Sequence, residues 1–179
     1  MMRWLLLGLA ILGGIVAIVV IVGWSLPVRH TATRSITVPA PPSAVFALVS
    51  NPSEYPSWRR GVTRVEVLQA DDAGQPLRFR EHGSDGIILY EVVEREPDRR
   101  IVVGIADTTL PFGGRWTHEI APAPPGATLR ITEDGEVYNP VFRFMSRFVF
   151  GHTSTIDRFL SDVSARLDTA GGNPASGRR

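Results

Sequence analysis

Residues 4–26 form an uninterrupted run of 23 residues without a charged side chain. Eighteen are apolar, four are glycine, and Ser25 carries the only hydroxyl. At about 1.5 Å per residue, a helix of that length reaches roughly 34 Å, against a hydrocarbon core of about 30 Å. Trp4 and Trp24 stand twenty residues apart, which sets an indole near each membrane interface. Pro27 ends the run. A cleaved signal peptide would show an apolar region of about 7–15 residues and a small-x-small cleavage site. This run is longer, and Trp24, Ser25, Leu26, Pro27 and Val28 supply no such site. The expectation is an uncleaved, single-pass transmembrane helix in the cell membrane. Arg3 and the α-amino group on one side oppose Arg29 and Arg34 on the other, a near tie that leaves both orientations open. Ala10 and Gly14 have the small-xxx-small spacing that can pair helices, a route to weak self-association through the anchor.

The rest of the chain divides readily. Residues 27–30 read as a short linker and residues 31–168 as one domain. Residues 169–179 are rich in Gly, Ser, Pro and Ala without periodicity and read as a disordered tail. The net charge of the whole chain is +1, which gives no basic field for a nucleic acid. The absence of cysteine excludes disulfides, thiolate metal sites and a Cys nucleophile. All 19 basic residues are arginine, so lysine chemistry is excluded too.

Seven segments alternate or carry β-branched residues: 31–38, 62–68, 77–82, 86–94, 100–106, 115–121 and 127–137. Turn chemistry marks four of the five gaps between the last six, at Asp71-Asp72-Ala73-Gly74, Gly83-Ser84-Asp85-Gly86, Pro97-Asp98 and Pro124-Pro125-Gly126. Such short connections join antiparallel neighbours. Residues 43–49 suit a short helix. Asn139 can cap a helix beginning at Pro140. Apolar residues from Phe142 to Leu167 then recur at three- and four-residue steps, predicting one long amphipathic helix over 140–168, bent at Gly151. The fold class is therefore α+β. A seven-stranded curved antiparallel sheet wraps a long C-terminal helix in a helix-grip arrangement, preceded by one transmembrane helix.

The segment Asn51-Pro-Ser-Glu-Tyr-Pro-Ser-Trp58, following a strand that ends at Val38, resembles the opening of the START-like (SRPBCC) superfamily of polyketide cyclases/dehydrases and lipid-transport proteins. Gly114-Arg-Trp-Thr-His-Glu-Ile120 and Gly126-Ala-Thr-Leu-Arg-Ile-Thr-Glu-Asp-Gly-Glu136 are similar to its last two strands, and the C-terminal helix completes the likeness. The resemblance implies a pocket between sheet and helix. It also implies a role for Tyr55 and Trp58 in closing one end of that pocket, either as packing or as a gate. It does not choose among lipid carriers, cyclases, receptors and co-chaperones.

Strand parity nominates the candidates. Trp116, His118 and Ile120 share one face, as do Leu129, Ile131 and Glu133, and also Leu77, Phe79 and Glu81. His118 with Glu133 or Glu81 forms a candidate acid/base set, although both glutamates also suit a solvated rim or an arginine partner. No residue is assigned a catalytic role outright. Candidate ligand-binding residues are Trp58, Phe79, Tyr90, Trp116, His118, Ile131, Phe142, Met145, Phe148 and Val149. The last four suit core packing equally well. His30, His82, His118 and His152 are isolated, without HxxxH or HExxH spacing, so no metal and no cofactor is expected. His30 and His152 read as surface or packing residues. The leading expectation is a membrane-anchored binder of a lipid or other hydrophobic small molecule. The alternatives are a cyclase/dehydrase-like enzyme and a ligand-free interaction module.

Overall fold

The structure, a computed structural model, describes residues 2–171. Helix α1 (Met2–Ser25) is long and apolar enough to cross a membrane, and most of it is exposed. Strand β1 (Arg29–Val38) begins two residues before the expected start at residue 31. A helical insert follows, made of α2 (Pro42–Val49), a 3-10 turn (Pro52–Glu54) and α3 (Tyr55–Trp58). Six strands come next: β2 (Val62–Ala70), β3 (Pro76–Gly83), β4 (Gly86–Glu96), β5 (Arg100–Ile105), β6 (Phe112–Ala123) and β7 (Gly126–Val137).

All seven strands form one antiparallel sheet in the order β1-β7-β6-β5-β4-β3-β2. Strands β2 to β7 are neighbours in sequence, as their short turns require. The insert carries the chain from one edge of the sheet to the other, so β1 pairs with β7, with Ala32 opposite Glu133 and Ile36 opposite Leu129. Register shifts in the β2/β3 and β4/β5 pairs add local bends. Alternation then separates the two faces. The convex face of the β1/β7 pair carries Thr33–Thr132 and Thr37–Thr128 hydroxyl pairs, at 3.1 and 3.0 Å, and the Arg29–Glu136 ion pair at 3.0 Å. The concave face carries Val38, Ile120, Leu129 and Ile131.

Helix α5 (Ser154–Gly171) lies across that concave face. Its Ile156, Phe159, Leu160, Val163 and Leu167 are buried against Ile101, Ile120, Ala127, Leu129 and Ile131. Each large side chain buried this way contributes about 1.5–3 kcal/mol. Asp162 ties the helix to the insert: its carboxylate accepts from the Arg60 backbone N–H at 2.9 Å and from Arg60 Nε at 2.5 Å.

The long helix expected over 140–168 is two helices. The first half is α4 (Pro140–Met145), continued by a π-helical turn (Ser146–Phe150). Asn139 caps it as the sequence indicated, its Oδ1 accepting from the N–H groups of Val141 (2.9 Å) and Phe142 (3.3 Å). At Gly151 the backbone adopts φ 75°, ψ 158°, a region essentially reserved for glycine, so the helix stops and restarts instead of bending. Helix α5 reaches Gly171, into the segment read as a tail; residues 172–179 lie outside the described ones.

Candidate functional site

Between the sheet and the helices lies a cavity of about 490 Å³, a size suited to an organic ligand. Its middle is aromatic. Phe79 and Tyr90, directly opposite on β3 and β4, stack at 5.4 Å. Tyr55 meets Phe79 edge-on at 6.5 Å and is fixed by its hydroxyl, which donates to the Val49 carbonyl at 2.7 Å. Phe159 of α5 covers Trp116 and His118 at 5.9 and 5.4 Å.

One end is closed by an ion pair. Arg59 Nη1 donates to Glu81 Oε2 at 2.5 Å, and its guanidinium lies 4.6 Å from the Tyr55 ring centre and 5.0 Å from that of Phe159. Burial pushes the Glu81 carboxyl up, and Arg59 pulls against that shift. At the other end Glu133 faces His30, with Nε2 to Oε1 at 3.5 Å. The His30 ring stacks on His152 at 4.0 Å, and His152 Nδ1 lies 3.2 Å from Ser146 Oγ. Burial raises Glu133 to about 7, opposed only by the neighbouring Trp116 indole N–H. Burial lowers His30, and the adjoining His152 lowers it further, so His30 supplies little positive charge near neutral pH. A side chain at residue 135 would run into the His30 ring, so Gly135 is what admits the imidazole beside Glu133.

His118 stands between the two ends. It is 3% exposed, and neither ring nitrogen has a hydrogen-bond partner. Burial pushes it down to about 4; proximity to the Ile101 backbone opposes this without reaching hydrogen-bond geometry. The ring is therefore neutral at pH 7, with one donor and one acceptor both unused.

The structure brings together Phe79, Glu81, Tyr90, Trp116, His118, Glu133 and Phe142 in the cavity wall. It does not bring Trp58, Ile131, Met145, Phe148 or Val149 there. Trp58 packs edge-on against Tyr55 and Phe159 beneath the wall, and Ile131 is wholly within the core. Met145 lies half-buried on α4, while Phe148 and Val149 are 59% and 58% exposed, because the break at Gly151 turns residues 140–150 away from the sheet. Neither glutamate pairs with His118: Glu81 takes Arg59, and Glu133 takes His30. Sequence reasoning missed Arg59, His30 and His152 as wall residues. His30 was within reach of it, since it shares strand parity with the inward Ala32, Ile36 and Val38 once β1 is started at residue 29. Among the described residues, no group of three or more histidines and acids is arranged to hold a metal ion.

A family model described as polyketide cyclase/dehydrase and lipid transport matches residues 29–168. Solved structures share the fold at low identity. A START superfamily protein from Mycobacterium smegmatis is 17% identical with a TM-score of 0.64, covering 79% of this chain and 99% of that one. A major latex-like protein from Panax ginseng is 13% identical with a TM-score of 0.63, again covering 79% and 99%. The di-domain ARO/CYC protein of the steffimycin biosynthetic pathway is 13% identical with a TM-score of 0.63, covering 82% of this chain and 53% of that one. A comparison with curated protein sequences finds no significant match.

Proposed function

The chain belongs to the polyketide cyclase/dehydrase and lipid transport family, and from that premise we propose that it is a membrane-tethered binding protein for a lipid or other hydrophobic small molecule bearing a polar group. The observation that carries this reading is the cavity itself: about 490 Å³, aromatic through its middle, with both nitrogens of His118 unpartnered in its wall. Leaving a buried polar atom unpaired costs roughly 1–3 kcal/mol. Both nitrogens are buried, so a ligand hydroxyl or carbonyl that reaches His118 as the neighbouring rings shift would remove that cost, while its apolar body fills the space among Phe79, Tyr90, Trp116 and Phe159. The family includes lipid transport in its description. The tether supports the membrane part. Three residues, 26–28, separate α1 from β1, at most about 11 Å of extended chain. A spanning α1 therefore holds the cavity within one domain diameter of the headgroups.

Full-length protein purified with native lipids, extracted and examined by mass spectrometry, is expected to carry a stoichiometric small molecule. His118→Phe should retain at least tenfold less of it. Recovery of no ligand from the intact chain would defeat the proposal.

One observation favours a second reading, an enzyme resembling the cyclases. Glu133, held near 7 beside His30, is matched to proton transfer at neutral pH. On that reading Glu133→Gln binds the ligand but no longer converts it. A ligand recovered with the same mass from wild type and Glu133→Gln argues for binding alone. The cavity counts against a ligand-free module, which has no use for such a space.

A further inference from the structure

Helix α1 does not stand clear of the domain. Gly23 is buried and Val19, Val20 and Val22 are half-buried, and the element packed on α1 is α4. A side chain at residue 23 would collide with the Pro140 carbonyl, so the two helices meet backbone to backbone. Arg143 Nη1 donates to the Leu26 carbonyl at 2.8 Å, capping the end of α1, and the Val137 N–H donates to the Val28 carbonyl at 2.9 Å. These contacts hold α4 beside the last two turns of α1, not beyond its end.

That placement sets a depth. Val19 lies five residues before Trp24, about 7–8 Å along the helix axis. With Trp24 in the aromatic belt of a spanning helix, whatever packs on this stretch sits in the interface and the outermost acyl region. Residues 140–150 have the chemistry for that position. Val141, Phe142, Phe148 and Val149 are 42, 54, 59 and 58% exposed. Arg143 and Arg147 flank them, and no acidic residue occurs between Glu136 and Asp157. Phe142 is at once half-exposed and part of the cavity wall, with Ser146 and His152 beside it.

We propose that residues 140–150 are a second membrane contact. They form an interfacial helix seated about 5–10 Å into an anionic phospholipid surface, and Phe142 marks the mouth through which the cavity opens to the bilayer. A hydrophobic ligand then passes between lipid and cavity without crossing water. This inference rests on the reading of α1 as a membrane anchor.

The chain has no cysteine, so single-cysteine variants can each carry one environment-sensitive fluorophore. Four full-length variants are reconstituted in phosphatidylcholine/phosphatidylglycerol vesicles: Phe148→Cys, Val149→Cys, Ile11→Cys, and Ala73→Cys in the β2–β3 turn. All four positions are exposed, so the fold tolerates them. Shallow nitroxide lipids are expected to quench the labels at 148 and 149, deep nitroxide lipids the label at 11, and neither the label at 73. A photo-crosslinking side chain at Phe142 should form phospholipid adducts in the same vesicles. Labels at 148 and 149 as unquenched as the one at 73, with the label at 11 quenched deeply, overturn the interfacial helix and leave the anchor standing. A label at 11 that escapes quenching overturns the anchor, and this inference with it. Adduct-free Phe142 beside quenched labels at 148 and 149 overturns the mouth.

Discussion

Glu81 and Glu133 project from the same sheet into the same cavity, and burial pushes both carboxyls upward. Their partners differ. Glu81 has a guanidinium at 2.5 Å, itself spread over two aromatic rings, whereas Glu133 has an imidazole at 3.5 Å that burial holds toward its neutral form. An arginine cannot give up its charge, so the Glu81 end is a fixed ion pair that closes the cavity. A histidine can, so the Glu133 end is left near 7 and responds to pH and to what binds. One wall thus holds a structural acid and a titrating acid, and the neighbour decides which is which.

The largest expected effect tests the fixed end. Arg59→Ala leaves Glu81 buried without its partner and should cost about 3–5 kcal/mol in urea unfolding of the full-length protein. The double variant Arg59→Met/Glu81→Leu should recover most of that loss. His30→Ala should cost roughly 1 kcal/mol. Equal losses from Arg59→Ala and His30→Ala would break the contrast.

Next comes the titrating end. Glu133 has a folded pKa near 7 against an ordinary value of 4.5, so the folded chain holds the extra proton between those values. Its contribution is favourable below pH 4.5 and is lost as pH rises through 7, a penalty of roughly 3 kcal/mol above that. His118, lowered from 6.5 to about 4, acts oppositely: stability rises as pH rises from about 4 to 6.5. The two trends oppose each other over most of that window and flatten the wild-type curve. Glu133→Gln should match wild type near pH 4 and exceed it by up to about 3 kcal/mol at pH 8, a difference read from urea midpoints across pH. No gain at pH 8 would mean that Glu133 is as well paired as Glu81.

A last variant sharpens the geometry. Gly135→Ala fills the place of the His30 ring and should cost about 1–3 kcal/mol. By displacing the imidazole it should also shift the Glu133 titration seen by NMR. An unmoved titration would show that His30 contributes nothing to that end.

Much of the frame was legible in the sequence because its signals are local. Alternation located all seven strands, and Asn139 with Pro140 marked a helix start that the cap geometry reproduces. Parity placed Phe79, Trp116, His118 and Glu133 on inward faces. The errors came where a local pattern was interrupted by something distant. The apolar residues on the two sides of Gly151 keep one helical phase, Val149 and Ile156 standing two turns apart, yet α4 packs on α1, more than a hundred residues earlier in the chain. Phe148 and Val149 therefore keep the spacing of a core stripe while facing outward. His30 was passed over because strand β1 gains its first two residues only by pairing with Glu136 and Gly135 of β7.

The sequence by itself determined an apolar helix of membrane-spanning length, seven strands with a polar and an apolar face, and a whole-chain net charge of only +1. Hydrophobic period, turn residues and caps act within a few residues, and they leave their mark wherever the chain is read. Only the tertiary structure decided that β1 closes on β7, that Glu133 meets His30 and Glu81 meets Arg59, and that α4 lies against α1. Those pairings join positions far apart in the chain, and they follow from the strand order and curvature of the sheet, which no local pattern records.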